Sequence, residues 1–294
     1  MAVAAYFLLA IASTVDKLLM TGRIPHPVVY AFFVSVLSII ALVLAPFGMQ
    51  LLPLDGLLIS LLSGLFLTGA LLFFFTAVND NDATRVVPFV GGIVPLFTVV
   101  LAYFFLGERF DARHFLAFLI LVAATVFISV DIDHRSRLKG LRNLIAASVF
   151  FAASYFLTKL AFTQFDFLSV FLWARVGSFL GGVALLIPAG YRRILVGYLK
   201  IRKPQPKQTP LLFLGGQMAG AAGVILVNYA IALGSVTFVN ALQGLQQAFL
   251  LGITSIAHRI NPNLLHEHFS RRAVFQKVTS IILIIIGLAL LALR

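Results

Sequence analysis

Apolar residues occur along this chain in long runs separated by short polar segments. Each run has about 20 residues, the length at which an α-helix crosses the hydrocarbon core of a bilayer. The pattern predicts ten membrane-spanning helices, at 2–20, 28–47, 56–78, 84–105, 114–130, 143–163, 168–187, 210–233, 236–256 and 275–293. The longest connectors are 131–142, 188–209 and 257–274, and they hold most of the basic residues. They leave no room for an extramembrane domain.

Composition supports an all-α polytopic membrane protein. Hydrophobic residues make up 61% of the 294 residues and charged residues only 11%, whereas soluble domains carry about a quarter charged residues. The mean hydropathy of +1.05 excludes an ordinary soluble globular protein. The chain has no cysteine, so disulfides and thiolate chemistry are excluded. Because the basic residues behind the net charge of +12 sit mostly in connectors, they indicate topology rather than nucleic-acid binding.

The two halves of the chain resemble each other. Residues 106–110 precede the fifth span as 265–269 precede the tenth, and 15–18 close the first span as 157–160 close the sixth. Gly92 and Phe97 fall on Gly244 and Phe249 at one constant offset. Five spans per repeat is an odd number, so the second copy enters the membrane from the opposite side. We therefore expect two inverted five-helix repeats, 1–141 and 142–294, which is the plan of many secondary transporters.

These features resemble the drug/metabolite transporter superfamily, in its EamA-type branch. They are the doubled five-span frame, a Lys ending the first helix of each half, the Leu-Gly-Glu-Arg turn at 106–109, and Pro88 and Pro95 with Gly91 and Gly92 in the fourth span. The resemblance implies a transporter of small polar metabolites, commonly an exporter. It also implies a central cavity built from spans one, three, four, six, eight and nine. An insertion around 260–263 departs from the pattern by lengthening the turn before Glu267.

Polar side chains within the spans are the candidate solute ligands, because an unsatisfied polar group in hydrocarbon is costly. The candidate substrate-binding residues are Lys17, Arg85, Tyr155, Lys159, Trp173, Arg175, Gln217, Asn228, Asn240, Gln243 and Gln247. The spacing of Thr237, Asn240, Gln243 and Gln247 predicts a polar row on one helix face. Trp173 and Arg175 are two residues apart and cannot point the same way. Most candidates lie in the second half, which predicts an asymmetric cavity.

Other interpretations of these residues remain open at this point. The amide side chains can form hydrogen bonds between helices. Lys17 and Lys159 can extend to the membrane interface. Glycines at 177, 181, 216, 220 and 223 are expected to let helices pack closely. Glu108 and Glu267 are expected to cap their turns or to pair with nearby arginines, which for Glu108 means Arg109 and for Glu267 means Arg271 or Arg272.

An enzyme is not expected. All six histidines lie in connectors or at span ends, and Asp16 is the only acid within a span. Neither a carboxylate pair nor a metal site is predicted, since 266–268 lack the spacing that places two ligands on one helical face. We expect no cofactor. A channel or a lipid scramblase is the alternative class, and the shortage of buried acids predicts facilitated or exchange transport without obligatory proton or sodium coupling.

The expected function is alternating-access transport of an anionic or zwitterionic metabolite, such as an amino acid, by a multi-pass protein of the cell membrane. Its expected partners are a small solute and the lipid bilayer, with no nucleic acid, and it is expected to be a monomer or homodimer. Fourteen connector Lys and Arg residues lie on the side reached after odd-numbered spans, against two on the other. The positive-inside rule therefore places both termini outside, whereas the family resemblance implies cytoplasmic termini.

Overall fold

Helices form all the regular structure of the described residues. The structure is a computed structural model that describes residues 1–20, 26–80, 83–129, 140–200, 209–260 and 271–292. The helices are α1 (Ala2–Met20), α2 (Pro27–Leu37), α3 (Leu54–Asp80), α4 (Ala83–Phe105), α5 (Ala112–Ser129), α6 (Leu141–Phe162), α7 (Phe167–Ala184), α8 (Ala189–Lys200), α9 (Thr209–Leu233), α10 (Val236–Ala241), α11 (Gly244–Ile260) and α12 (Arg271–Ala292). Among them, α1 to α7, α9 and α12 each match one predicted span.

Five segments of the described chain are long and apolar enough to cross a membrane: Pro27–Phe47, Leu54–Asp80, Leu141–Phe162, Phe167–Ala184 and Leu214–Leu233. The apolar helical stretches Ala2–Val15, Phe89–Phe105, Ala112–Phe127 and Val278–Leu290 are shorter. The first of the five is α2 together with a 3-10 segment, Ser38–Phe47, that continues it. Pro27 suits the first turn of α2 because a proline has no N–H to leave unpaired there, and the His26 ring accepts a hydrogen bond from the Val28 N–H.

Glycines set the contact between α3 and α7. A Cβ at Gly177 would overlap the Leu61 backbone of α3, and a Cβ at Gly181 would lie 2.7 Å from the Thr68 hydroxyl oxygen. The Thr68 hydroxyl donates to the Ser178 carbonyl at 3.0 Å, so a hydrogen bond joins the two helices where their backbones approach. This confirms the predicted packing role of Gly177 and Gly181.

The contact between α1 and α9 is built in the same way. A Cβ at Gly216 would lie 2.6 Å from Val15, and one at Gly223 would lie 2.8 Å from Leu9. Both positions are on the face of α9 that packs on α1, which joins a helix of the first half to one of the second. The packing role predicted for these two glycines is therefore confirmed.

Two expectations about the spans need correction. The connector predicted at 188–209 contains α8, a twelve-residue helix with three basic residues that is too short and too polar to be recognised as a span. The ninth span is two helices, because α10 ends at Ala241 and α11 begins at Gly244. Between them the Gln243 N–H bonds to the Asn240 carbonyl, a tighter i to i−3 bond that replaces the α-helical one. The predicted row of four polar residues is thus divided, with Thr237 and Asn240 in α10, Gln243 in the break and Gln247 in α11.

Candidate functional site

The centre of the helix bundle contains hydrogen bonds that converge on α10. The Asn240 amide donates to the Thr98 hydroxyl of α4 at 3.2 Å, and both residues are buried. The Tyr6 hydroxyl of α1 donates to the Val239 carbonyl at 2.6 Å. Thr237 is fully buried and its hydroxyl has no partner among the described residues. A six-residue helix is therefore held by polar contacts to both α1 and α4.

Gln243 lies in the break between α10 and α11, against α4. A Cβ at Gly91 would lie 3.7 Å from the Gln243 amide oxygen, an ordinary contact distance, so the side chain lies directly on this glycine. Pro95 lacks an N–H and leaves the Gly91 carbonyl without its usual helical donor. One turn further along, the Gln246 amide donates to the Ser13 hydroxyl of α1 at 2.9 Å. The amides of this region thus face α4 and α1.

Arg175 places a cation halfway along a membrane span. It is the ninth of the eighteen residues of α7, and at 1.5 Å per residue it lies about 12 Å from the start of that helix. The Phe171 ring lies under its guanidinium at 4.9 Å, an arrangement that stabilises a cation. Its Nε is buried and has no hydrogen-bond partner in the described part of the chain, while the side chain as a whole is partly exposed.

Among the candidate residues, Tyr155 is the one that lies near Arg175. The Tyr155 phenol lies near both the Arg175 guanidinium and the Tyr6 phenol. Tyr155 also packs against the hydrophobic clusters on both sides of α6. Trp173 points elsewhere, as its spacing predicts, and its indole N–H donates to the Gln50 carbonyl in the α2–α3 connector at 3.1 Å.

Lys159 holds the carboxyl-terminal end of α9. Its ammonium donates to the carbonyls of Ile231, Ala232 and Gly234, at 2.9, 3.3 and 2.6 Å. These carbonyls have no helical donors, and a cation at this end of a helix is favourable. In the described structure Lys159 therefore stabilises a helix end rather than extending to the membrane interface.

A cavity of about 410 Å³ lies beside this helix end, open to the outside. Lys159 and Glu108 line it together with Arg109, Phe110, His114, Gly234, Ser235 and Phe238. Glu108 accepts a hydrogen bond from the Ser235 hydroxyl at 2.7 Å. Arg109 donates to the Tyr103 carbonyl and lies over the Tyr103 ring at 3.9 Å. The expected pairing of Glu108 with Arg109 is therefore replaced by separate contacts to neighbouring helices.

Asp111 immediately precedes α5 at the same end of the bundle. Its carboxylate accepts a hydrogen bond from the His114 N–H at 2.7 Å and contacts the His114 ring at 2.6 Å. The backbone hydrogen bond is the main cause of a lowered pKa for Asp111, and the bond to the ring adds to it. Asp111 thus caps the helix in the manner typical of a residue that precedes its first turn.

Of the remaining candidates, Asn228 and Gln217 have described side chains, and neither has a hydrogen bond to the residues above. The Asn228 amide donates to the Val224 carbonyl of its own helix at 2.9 Å, and Gln217 is partly exposed eleven residues earlier. The side chains of Lys17, Arg85 and Gln247, and all of Glu267, lie outside the described part of the structure. Sequence patterns missed Tyr6 and Gln246, although Gln246 stands between two amides that were recognised and Tyr6 is the only tyrosine of the first span.

The long apolar helices indicate that this chain is a helical integral membrane protein. Residues 1–130 match the model of the EamA-like transporter family. This match confirms the predicted family resemblance over the first of the two expected halves. The family is one of membrane transporters.

A crystal structure among the solved structures that match shares the fold over almost the whole chain. It is 15% identical in sequence, the alignment covers 99% of this chain and 94% of that one, and the TM-score is 0.70. None of the curated proteins matches this chain. The likeness extends the common fold well beyond the residues matched by the family model, and it concerns the fold alone.

Proposed function

We propose that this protein is a secondary transporter that moves a small anionic or zwitterionic metabolite, such as an amino acid, across the cell membrane by alternating access. The solute binds between two inverted repeats, 1–141 and 142–294. The observation that carries the proposal is the Arg175 guanidinium, a cation halfway along a span whose buried Nε has no partner in the described chain.

The cost of this cation is the reason to assign it a ligand. A charged residue at the centre of a membrane helix costs about 2.5–3.5 kcal/mol on insertion scales. Guanidinium binds carboxylate and phosphate through two parallel hydrogen bonds, so an anionic solute group would offset that cost during transport. Tyr155 adds a phenol nearby and Phe171 supports the guanidinium from one face.

Helix packing supports the inverted repeat. The contact of α3 with α6 has a counterpart in that of α9 with α1, and the contact of α4 with α6 has one in that of α11 with α1. The pairs α5 with α12 and α2 with α7 join spans that occupy equal positions in the two halves. A pseudo-twofold relation between the halves would produce these paired contacts, whereas the contact of α3 with α7 has no counterpart of similar extent between α9 and α2.

The test combines stability with transport. Arg175→Met should raise the thermal stability of the purified, solute-free protein, because it removes an uncompensated charge. It should also abolish the thermal shift produced by the active solute in a panel of amino acids, nucleotide sugars and phosphorylated sugars. Trp173→Phe is the matched control on the same helix, since Trp173 contacts the α2–α3 connector, and it should keep both the shift and transport.

Counterflow in proteoliposomes separates the proposed carrier from the alternative classes. Solute loaded inside the vesicles should accelerate uptake of labelled solute, and this acceleration should persist when the pH gradient is collapsed. A channel would show no acceleration, and a scramblase would flip labelled lipid. The proposal is wrong if Arg175→Met lowers stability and leaves the solute response in the remaining folded protein unchanged.

A further inference from the structure

The helix α8 has one face that packs on protein and another that does not. Leu195 is buried, and it packs with Val28 and Val29 of α2, while Tyr198 contacts the Phe33 ring at 6.2 Å. At 100° per residue, Val196 and Leu199 lie on the flank next to Leu195. Their side chains are 41% and 62% exposed. The apolar arc of α8 is therefore wider than the surface of α2 that covers it.

Two neighbours, α7 and α2, fix the position of α8 relative to the spans. The backbone turns directly from the end of α7, where the Ile187 N–H bonds to the Ala184 carbonyl, into α8 at Ala189. The residues of α2 under Leu195 are the first two after Pro27, at the beginning of that span. Since α8 adjoins the ends of two spanning segments, it lies at the level of the membrane boundary.

Arg193 and Lys200 border the uncovered apolar flank, and Arg192 lies within it, about 60° around the helix from Leu195. Arg192, Arg193 and Lys200 are all exposed, and α8 contains no acidic residue. Arg193 and Lys200 lie 140° to 160° around the helix from Leu195, beyond Val196. A helix with a basic polar face and an apolar face that includes aromatic residues is typical of a segment lying in the plane of a membrane interface.

We propose that α8 is an interfacial helix that binds anionic lipid headgroups. Val196 and Leu199 enter the boundary between headgroups and acyl chains, and Arg192, Arg193 and Lys200 contact the phosphates of anionic lipids beside them. The side of the protein reached after odd-numbered spans then faces the leaflet surface to which α8 binds. This agrees with the excess of basic connector residues on that side.

The absence of cysteine allows a reporter to be placed on α8. The cysteine variant Val196→Cys, labelled with a bimane, reports the uncovered flank. Gly197→Cys reports the opposite side, where a Cβ would meet no atom within 4 Å. The full-length protein is reconstituted in nanodiscs of phosphatidylcholine with a minority of phosphatidylglycerol. Brominated acyl chains are placed on one lipid or on the other.

The bimane at 196 should be quenched by lipid bromine more strongly than the bimane at 197. Per mole, brominated phosphatidylglycerol should quench it more than brominated phosphatidylcholine. Each substitution among Arg192→Gln, Arg193→Gln and Lys200→Gln should reduce this preference about fivefold, which corresponds to about 1 kcal/mol per basic residue near the surface. High salt should reduce it as well, since screening shortens the range of surface charges.

Arg142→Gln is the matched control, because Arg142 is an exposed basic residue on the same side of the protein but on α6. It should leave the lipid preference unchanged. Equal quenching by both lipids, or an equal loss of preference in Arg142→Gln, would overturn the assignment to anionic lipid. Quenching of the bimane at 196 by aqueous iodide and not by bromolipid would show that α8 does not lie in the interface.

Discussion

Replacement of Lys159 by methionine separates a structural role of this residue from a solute-binding role. Methionine keeps most of the side-chain length and removes the ammonium that bonds to three carbonyls at the end of α9. If these bonds hold α9, the Lys159→Met protein should be less stable even in the absence of solute. Transport should then fall because folded protein is lost.

The magnitude follows from the surroundings of the three carbonyls. The bond to Gly234 is exposed and water replaces it, and the bond to Ala232 is long at 3.3 Å. The bond to Ile231 is partly buried and is the least replaceable by water, and it contributes about 2 kcal/mol for a charged donor. A cation at a helix carboxyl terminus contributes about 0.3–1 kcal/mol more. We therefore expect Lys159→Met to lower the free energy of unfolding by about 2–3 kcal/mol.

The measurement is equilibrium unfolding in mixed micelles, followed by the fluorescence of Trp173, the single tryptophan. Lys159→Arg should recover most of the stability because it restores a cationic donor. Lys200→Met, at the exposed end of α8, should change stability by less than about 0.5 kcal/mol. Unchanged unfolding of Lys159→Met combined with lost transport would refute the structural role and place Lys159 in the solute pathway.

The remaining predictions concern packing, the central hydrogen bond and acid stability. Gly177→Ala should destabilise the protein by at least about 2 kcal/mol in the same assay, because the new methyl group meets backbone that cannot yield, whereas Gly197→Ala, in open space, should be neutral or stabilising. The double variant Asn240→Leu/Thr98→Val should lose less stability than the two single variants lose in sum, because each single variant already removes their shared hydrogen bond. Additive losses would show that their 3.2 Å contact contributes nothing. The pKa of Asp111 is lowered from its ordinary value of 3.8 in the folded protein, so its contribution to stability is present above that pH and is lost as the pH falls through the folded value. Acid titration of unfolding should therefore show a weaker loss of stability below about pH 4 for Asp111→Asn than for the parent protein.

The sequence predicts the position of most helices, because a span needs only length and apolarity. It predicts the glycine contacts of α7 and α9 for a related reason, since small residues repeated on one face allow close approach. It does not predict the break at Leu242 and Gln243, where neither residue is a helix breaker and the tighter turn depends on contacts with α4 and α1. The short helix α8 is missed because its apolar residues are too few and too interrupted by basic residues to resemble a span.

The candidate site is less predictable than the fold. Arg175 is recognisable because a cation within an apolar run is unusual at any position. The role of Lys159 depends on where α9 ends in space, which its own neighbours in sequence do not specify. Tyr6 belongs to an otherwise apolar helix, and only the approach of the Val239 carbonyl shows that its hydroxyl has a central partner.

The packing of α1 on α9 also constrains how this protein is made. During synthesis α1 emerges about 200 residues before α9 is complete. At about 5–20 residues per second, this interval is about 10–40 s. Throughout that time α1 lacks the glycine-lined face of α9 that packs on it, and its Tyr6 and Ser13 hydroxyls must find temporary partners in water or in the insertion machinery. Biogenesis therefore depends on retaining the first helix until the eighth predicted span arrives, and truncated chains that stop before α9 should be degraded rapidly in cells.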